Sequence, residues 1–201
     1  MKPKRHHDPE HAKARREQVL NAAAECFRRR GYHGAAMAEV ARTAGMSPGH
    51  IYNYFAGKEE IIEALVARDV EEMFSMLGEM QARGGELIDA MIDGVDFGVD
   101  KNLDPDRAAL ELEMLAEGAR NPKVVAILRE ADARARARFR EMLTGPRGSL
   151  RGLDAREIDA RIEVVGAIFN GLLACGLMNP ALDRDAVLSV LRPTLRRLFT
   201  P

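Results

Sequence analysis

Four dipeptides constrain this chain more than any other feature: Asp8-Pro9, Ser47-Pro48, Asp104-Pro105 and Asn121-Pro122. In each, a side chain that can cap a helix precedes a proline that fits the first helical turn, where its missing N–H costs nothing. Behind each, apolar residues recur every three to four positions, and no run of β-branched residues alternates with period two. The pattern predicts an all-α protein of about nine helices. The first carries Val19, Leu20, Ala23, Cys26 and Phe27 inward until Gly31 stops it; a short second helix spans about 37–44, and a third runs from Pro48 to about Phe55. A fourth runs from Lys58 to the Gly84-Gly85 break, a fifth follows with Leu87, Ile88, Met91, Ile92, Val95 and Val99 inward, and a sixth and seventh open at the last two proline pairs. After the loop T-G-P-R-G-S-L-R-G, an eighth covers about 154–178 and a ninth about 183–199.

Charge divides the chain into two parts. The net charge is −1, but residues 1–58 hold eleven Lys and Arg against five Asp and Glu, about +6, which leaves about −7 for the rest. A basic end on an acidic body is the footprint of a nucleic-acid-binding unit. The predicted organisation is therefore a DNA-binding domain over 1–58 and a second helical domain over 59–201.

Several classes are excluded or disfavoured. Cys26 and Cys175 are the only cysteines and lack C-x-x-C spacing, so no disulfide framework or zinc site is indicated; both are expected to be buried, inert thiols. No Ser–His–Asp or Cys–His arrangement, H-E-x-x-H or glycine-rich phosphate loop speaks for an enzyme, and no cofactor is implied. The apolar run Val164–Met178, flanked by Glu163 and interrupted by Asn170, falls short of the roughly 20 residues of a membrane span. With no apolar stretch near the start, a cytoplasmic protein is expected.

The function-bearing pattern lies between the second and third helices. Ala41, Gly45 and Ile51 supply a small residue where two helices cross, a residue tolerant of positive φ in the turn, and an apolar anchor; Val40, Ala44 and Met46 complete the seam. This is the requirement of a helix-turn-helix. With Ile51 inward, the polar residues of the third helix face outward. Pro48, Gly49, His50 and Asn53 are then placed to meet base edges, and Tyr52, Tyr54 and Lys58 to meet the phosphate backbone, with Ser47, which starts the helix, also among the DNA-binding candidates.

The stretches V-L-N-A-A-A-E-C-F-R-R-R-G-Y and M-A-E-V-A-R-T-A-G-M-S-P-G-H-I-Y-N-Y-F-A-G-K-E-E-I-I resemble the TetR family of bacterial transcriptional regulators over the first 60 or so residues. The resemblance implies a homodimeric, ligand-responsive regulator, most simply a repressor, that binds a palindromic double-stranded DNA operator and is released by a small hydrophobic or amphipathic effector. It also implies a four-helix dimer interface from the last two helices, with Ile158, Ile162, Val165, Phe169, Leu172, Val187, Val190, Leu191 and Leu195 as candidates and Gly166, Gly171 and Gly176 permitting close approach; burial of the same stripes within one subunit is the alternative. Family members place Ser or Thr at the start of the second helix. Here Gly34-Ala35-Ala36 stand instead, and Arg42 and Thr43 are the candidates to supply the missing phosphate contact.

Candidates for an effector pocket are Met73, Leu77, Met91, Ile92, Val95, Met114, Leu115, Leu128 and Phe169, which suit a hydrophobic ligand and an ordinary core equally well. A sensor without DNA binding is the alternative function. His6, His7 and His11 with Asp8 read as part of a basic arm rather than a metal site, because a chain terminus rarely fixes ligands. The arginines of Ala133–Arg140 and the acids Asp89, Asp93, Asp96 and Asp100 read as solvated helix faces, with Glu130–Arg134 and Asp132–Arg136 as i,i+4 pairs.

Overall fold

In the computed structural model, residues 9–82 and 86–201 are described, and among them every regular element is a helix. The helices are α1 (Pro9–Gly34), α2 (Met37–Thr43), α3 (Pro48–Ile51), α4 (Lys58–Ala82), α5 (Leu87–Asp93), α6 (Val95–Leu103), α7 (Pro105–Gly118), α8 (Pro122–Thr144), α9 (Ala155–Met178) and α10 (Arg184–Leu198). Asp8, His6, His7 and the Gly84-Gly85 break lie outside the described residues. The expected fifth helix is two helices, because the backbone turns at Gly94 between α5 and α6. α3 is shorter than expected, closing at Ile51 with a turn through Tyr52–Tyr54.

Pro9, Pro48, Pro105 and Pro122 open helices as expected, but the residues before the last three do not all cap alike. The Asp104 carboxylate accepts the Arg107 N–H at 2.7 Å, and Asn121 Oδ1 accepts that of Lys123 at 3.1 Å. Ser47 has the extended backbone of an N-cap, yet its hydroxyl makes no capping bond.

The chain forms two compact units, Met1–Val66 with Leu112–Leu128, and Ala67–Glu111 with Arg129–Pro201. The first unit thus continues past residue 58 and takes in the end of α7 and the start of α8. Its core holds Val19, Phe27, Tyr32, Val40, Ala41, Ile51, Phe55, Ile61, Ile62, Leu65, Met114 and Val124.

In the second unit, α9 packs on α6 and α10, and α10 also on α5 and α6. The core includes Leu77, Leu87, Met91, Ile92, Val95, Val99, Leu143, Leu150, Leu188 and Phe199. Gly98 is essential to the α6–α9 contact, since a Cβ there would lie 2.7 Å from Phe169 Cε1. Gly176 gives the same freedom at the far end, where a Cβ would sit 3.5 Å from Leu103 Cα.

Four expectations about this unit change. Cys175 is exposed, whereas Cys26 is buried as expected. The acidic run is not simply solvated: Asp89 meets Arg196 at 2.9 Å, Arg184 lies 3.2 Å from Asp96 and also binds Asp100, and Arg192 reaches Asp96. These pairs join α5 and α6 to α10, and Arg184 holds the Asp100 carboxyl below its ordinary range. The arginine run is also paired: Arg134 with Glu130 and Arg136 with Asp132, as expected, Arg138 with Glu71, and Arg140 with Asp159.

The fourth change concerns the last two helices. Ile158, Ile162, Val165, Leu172, Leu191 and Leu195 are buried within the subunit, where they form its core, and Phe169 and Val187 are half-buried against it. The exposed stripe of α9 is the other one: Ala160, Val164, Ala167, Gly171 and Met178. Val190 of α10 is 67% exposed. Nothing lies within 4 Å of a Cβ built at Gly166 or Gly171, so these glycines serve no contact inside the subunit. By length and composition α9 is apolar enough to cross a membrane, contrary to the expectation, although a helix of a soluble protein meets the same criterion.

Candidate nucleic-acid interface

The turn between α2 and α3 follows from Gly45. Its φ of 62° lies in the left-handed region that favours glycine. The Met46 N–H then reaches Ala41 O at 2.8 Å and the Gly45 N–H reaches Arg42 O at 3.0 Å, the paired bonds of a Schellman termination. Ala44 O would remain an orphan, and Gln18 Nε2 of α1 donates to it at 2.7 Å. Ala41 and Ile51 are fully buried, and Val40, Ala44 and Met46 are buried beside them.

A second set of contacts fixes the end of the recognition segment. Arg16 donates to Tyr54 O at 2.6 Å, lies 4.1 Å above the Phe55 ring and stands 3.5 Å from Glu60. Glu60 in turn accepts the Ala56 N–H at 2.7 Å at the head of α4. Neither Arg16 nor Gln18 stands out in the sequence, because their roles depend on chain segments 26 to 38 residues away.

With the seam buried, Ser47, Pro48, Gly49, His50, Tyr52 and Asn53 are exposed and Tyr54 is half-buried. They share the outward side of α3 and the following turn. His50 joins two of them: its Nδ1 lies 3.2 Å from Asn53 Nδ2 and its Nε2 3.3 Å from Tyr54 Oη, with the two rings edge to face at 5.3 Å. Arg42 and Thr43 are exposed at the end of α2, where Thr43 Oγ1 stands 3.4 Å from Cys26 Sγ. The start of α2 has no side-chain cap: Ala36 occupies the N-cap position.

Lys58 is placed differently from a free phosphate ligand. Its ammonium donates to Tyr32 O and sits 4.1 Å from the centre of the Tyr32 ring. Burial pushes its pKa down from the ordinary lysine value. Burial and the nearby Glu59 and Glu117 carboxylates push Tyr32 up to about 12. Lys58 therefore ties the start of α4 to the end of α1.

Two glutamates of α7 hold the same corner. Gly31, at φ 71°, ends the regular part of α1, and the next N–H, that of Tyr32, donates to Glu113 at 2.7 Å. Glu117, fully buried, accepts from Asn121 at 2.8 Å and lies 2.9 Å from His33 Nε2. These contacts explain why Leu112–Leu128 belongs to the first unit. Sequence reasoning missed them, although the spacing of Glu113 and Glu117 on one face of α7 is a signal that could have raised the question.

The candidate pocket residues separate between the units. Met114, Leu115 and Leu128 belong to the first, where Met114 is buried and Leu115 is 50% exposed. Leu77, Met91, Ile92 and Val95 are core residues of the second, with Met73 and Phe169 half-buried against them.

The family pattern described as bacterial regulatory proteins, tetR family, matches residues 19–65, which carry this turn and its outward face. A second, described as BetI-type transcriptional repressor, C-terminal, matches residues 86–200, more than half the chain. The chain belongs to the TetR family of bacterial transcriptional regulators. This TetR-family protein is 33% identical to the HTH-type transcriptional regulator UidR of Escherichia coli strain K12 over 124 residues, which cover 59% of each chain. The match thus spans less than two thirds of that relative's length. Among solved structures, Salmonella enterica GusR is 26% identical with a TM-score of 0.69, over 92% of this chain and 95% of GusR. FadR from Bacillus subtilis, solved in complex with stearoyl-CoA, shares the fold at 20% identity and a TM-score of 0.62, over 89% of this chain and 96% of FadR. The family is one of DNA-binding regulators and not of enzymes.

Proposed function

We propose that this TetR-family regulator acts in the cytoplasm as a homodimeric repressor on a palindromic DNA operator and is released by a small hydrophobic or amphipathic effector. The observation that carries the reading is the outward side of α3, where polar and aromatic side chains stand on a segment whose other side is locked by Gly45, Ile51, Gln18 and Arg16. Asn53 faces base edges with His50 bonded beside it, Gly49 permits close approach, and Ser47, Tyr52 and Tyr54 meet phosphates, with Arg42 and Thr43 beside them. Lys58 acts mainly by fixing α4 to α1, since its ammonium is already engaged.

The dimer uses the exposed stripes rather than the buried ones. Ala160, Val164, Ala167 and Gly171 of α9 are small, so a partner helix can approach closely, and Val190 of α10 extends the surface. Two recognition segments related by a two-fold then enter major grooves about 34–36 Å apart. The effector enters the second unit beside the half-buried Met73 and Phe169, and it shifts DNA affinity only by its differential affinity for two conformers.

Sedimentation velocity combined with selection of bound duplexes from a random library tests this reading. The wild-type protein is expected to sediment as a dimer and select inverted repeats, and Val164→Asp as a monomer that selects at most one half-site. A monomeric wild type, or a dimeric Val164→Asp that still selects the repeat, refutes the proposed interface.

A further inference from the structure

The geometry points to Asn53 as the reader of an adenine in each operator half-site, with His50 as the residue that positions it. This deepens the DNA-binding reading above and rests on it. An amide nitrogen only donates, so with Asn53 Nδ2 at 3.2 Å the His50 Nδ1 is the acceptor. The proton of the neutral ring then sits on Nε2, which donates to Tyr54 Oη at 3.3 Å. His50, Asn53 and Tyr54 lie three and four residues apart, so their side chains meet on one face of the segment.

Each bond determines what the next group can still do. One Asn53 N–H is spent on His50, which leaves a second N–H and Oδ1 side by side. That donor and acceptor match adenine N7 and N6–H₂ in the major groove, the edge for which asparagine is the usual bidentate partner. Guanine presents two acceptors on that edge and cytosine a lone amino donor, so neither satisfies both groups. Tyr54 accepts from His50 and keeps its own O–H to donate, which suits an acceptor-only phosphate oxygen. The ring thus couples the base contact of Asn53 to the backbone contact of Tyr54. Gly49, with nothing within 4 Å of a Cβ position, leaves room for the segment to come close to the bases.

The test uses the full-length protein and duplexes selected from a random library by wild type, Asn53→Ala, His50→Ala and the double variant. Wild type is expected to select an adenine at one position of each half-site, and Asn53→Ala to lose preference there by about ten- to a hundredfold. His50→Ala weakens preference at the same position, and the double variant loses no more there than Asn53→Ala alone. Replacing that adenine by 7-deazaadenine, which lacks N7, removes most of the difference between wild type and Asn53→Ala. The inference is overturned if Asn53→Ala leaves the selected sequence unchanged, if His50→Ala alters a different position, or if it weakens every position equally. If wild type enriches no sequence at all, the DNA-binding reading fails as well, which separates the two failures.

Discussion

Gly45 and Gly49 are four residues apart, yet the structure gives them opposite jobs. At Gly45 a Cβ would meet only Gln18 Nε2 at 3.9 Å, an ordinary contact, so alanine costs nothing in space. Its penalty comes from the backbone: φ is 62°, and an L-residue held there costs about 1 kcal/mol. In a chain of 201 residues 1 kcal/mol lowers Tm by roughly 2–4 °C. Asparagine, which tolerates the left-handed region, is expected to cost less than alanine, and valine, β-branched, more. At Gly49 φ is not in that region and no atom lies within 4 Å, so Gly49→Ala leaves Tm unchanged or slightly higher while weakening DNA binding. The assay is unusually direct, because the chain has no Trp and its 3 Tyr, at 32, 52 and 54, all lie in the first unit. Thermal melting followed by tyrosine fluorescence therefore reports on that unit alone, and fluorescence anisotropy with a selected duplex reports affinity. If alanine and asparagine at 45 cost the same, or if Gly49→Ala destabilises as much as Gly45→Ala, the backbone explanation is wrong.

Two more perturbations probe the cores of the two units. Tyr32 has a folded pKa raised to about 12 from an ordinary value of 10.0, so the folded state keeps a proton that the unfolded state loses. The stabilisation it gives is complete below about pH 10 and declines as pH rises toward 12; an absorbance titration should show one late tyrosine that Tyr32→Phe removes, and its absence would refute the burial argument. In the second unit Gly98→Ala forces a Cβ to 2.7 Å from Phe169 and is expected to cost about 1–3 kcal/mol. Urea unfolding should show that Phe169→Leu restores part of that loss, since it removes the clashing ring edge; equal losses in the single and double variants would show that another contact is responsible.

The sequence by itself determined the helices and the inner seam of the DNA-binding motif. Capping residues before proline act locally, so Asp104 and Asn121 start helices wherever the rest of the chain goes. Gly45 and Ile51 likewise carry a requirement, positive φ and an apolar anchor, that the residue type alone expresses. The faces of α9 and α10 were not legible, because α9 is apolar on both sides and periodicity cannot rank two apolar stripes. Packing on α6 decided that Ile158, Ile162, Val165 and Leu172 turn inward and Val164 outward. The same holds for Lys58, whose long side chain reached Tyr32 only once the fold had brought α1 and α4 together. It holds again for Glu113 and Glu117, which meet Tyr32 and His33 across some 80 residues of chain. Local physics wrote the helices and their turns into the sequence, and long-range packing decided which side of each helix remained available for DNA or for a partner.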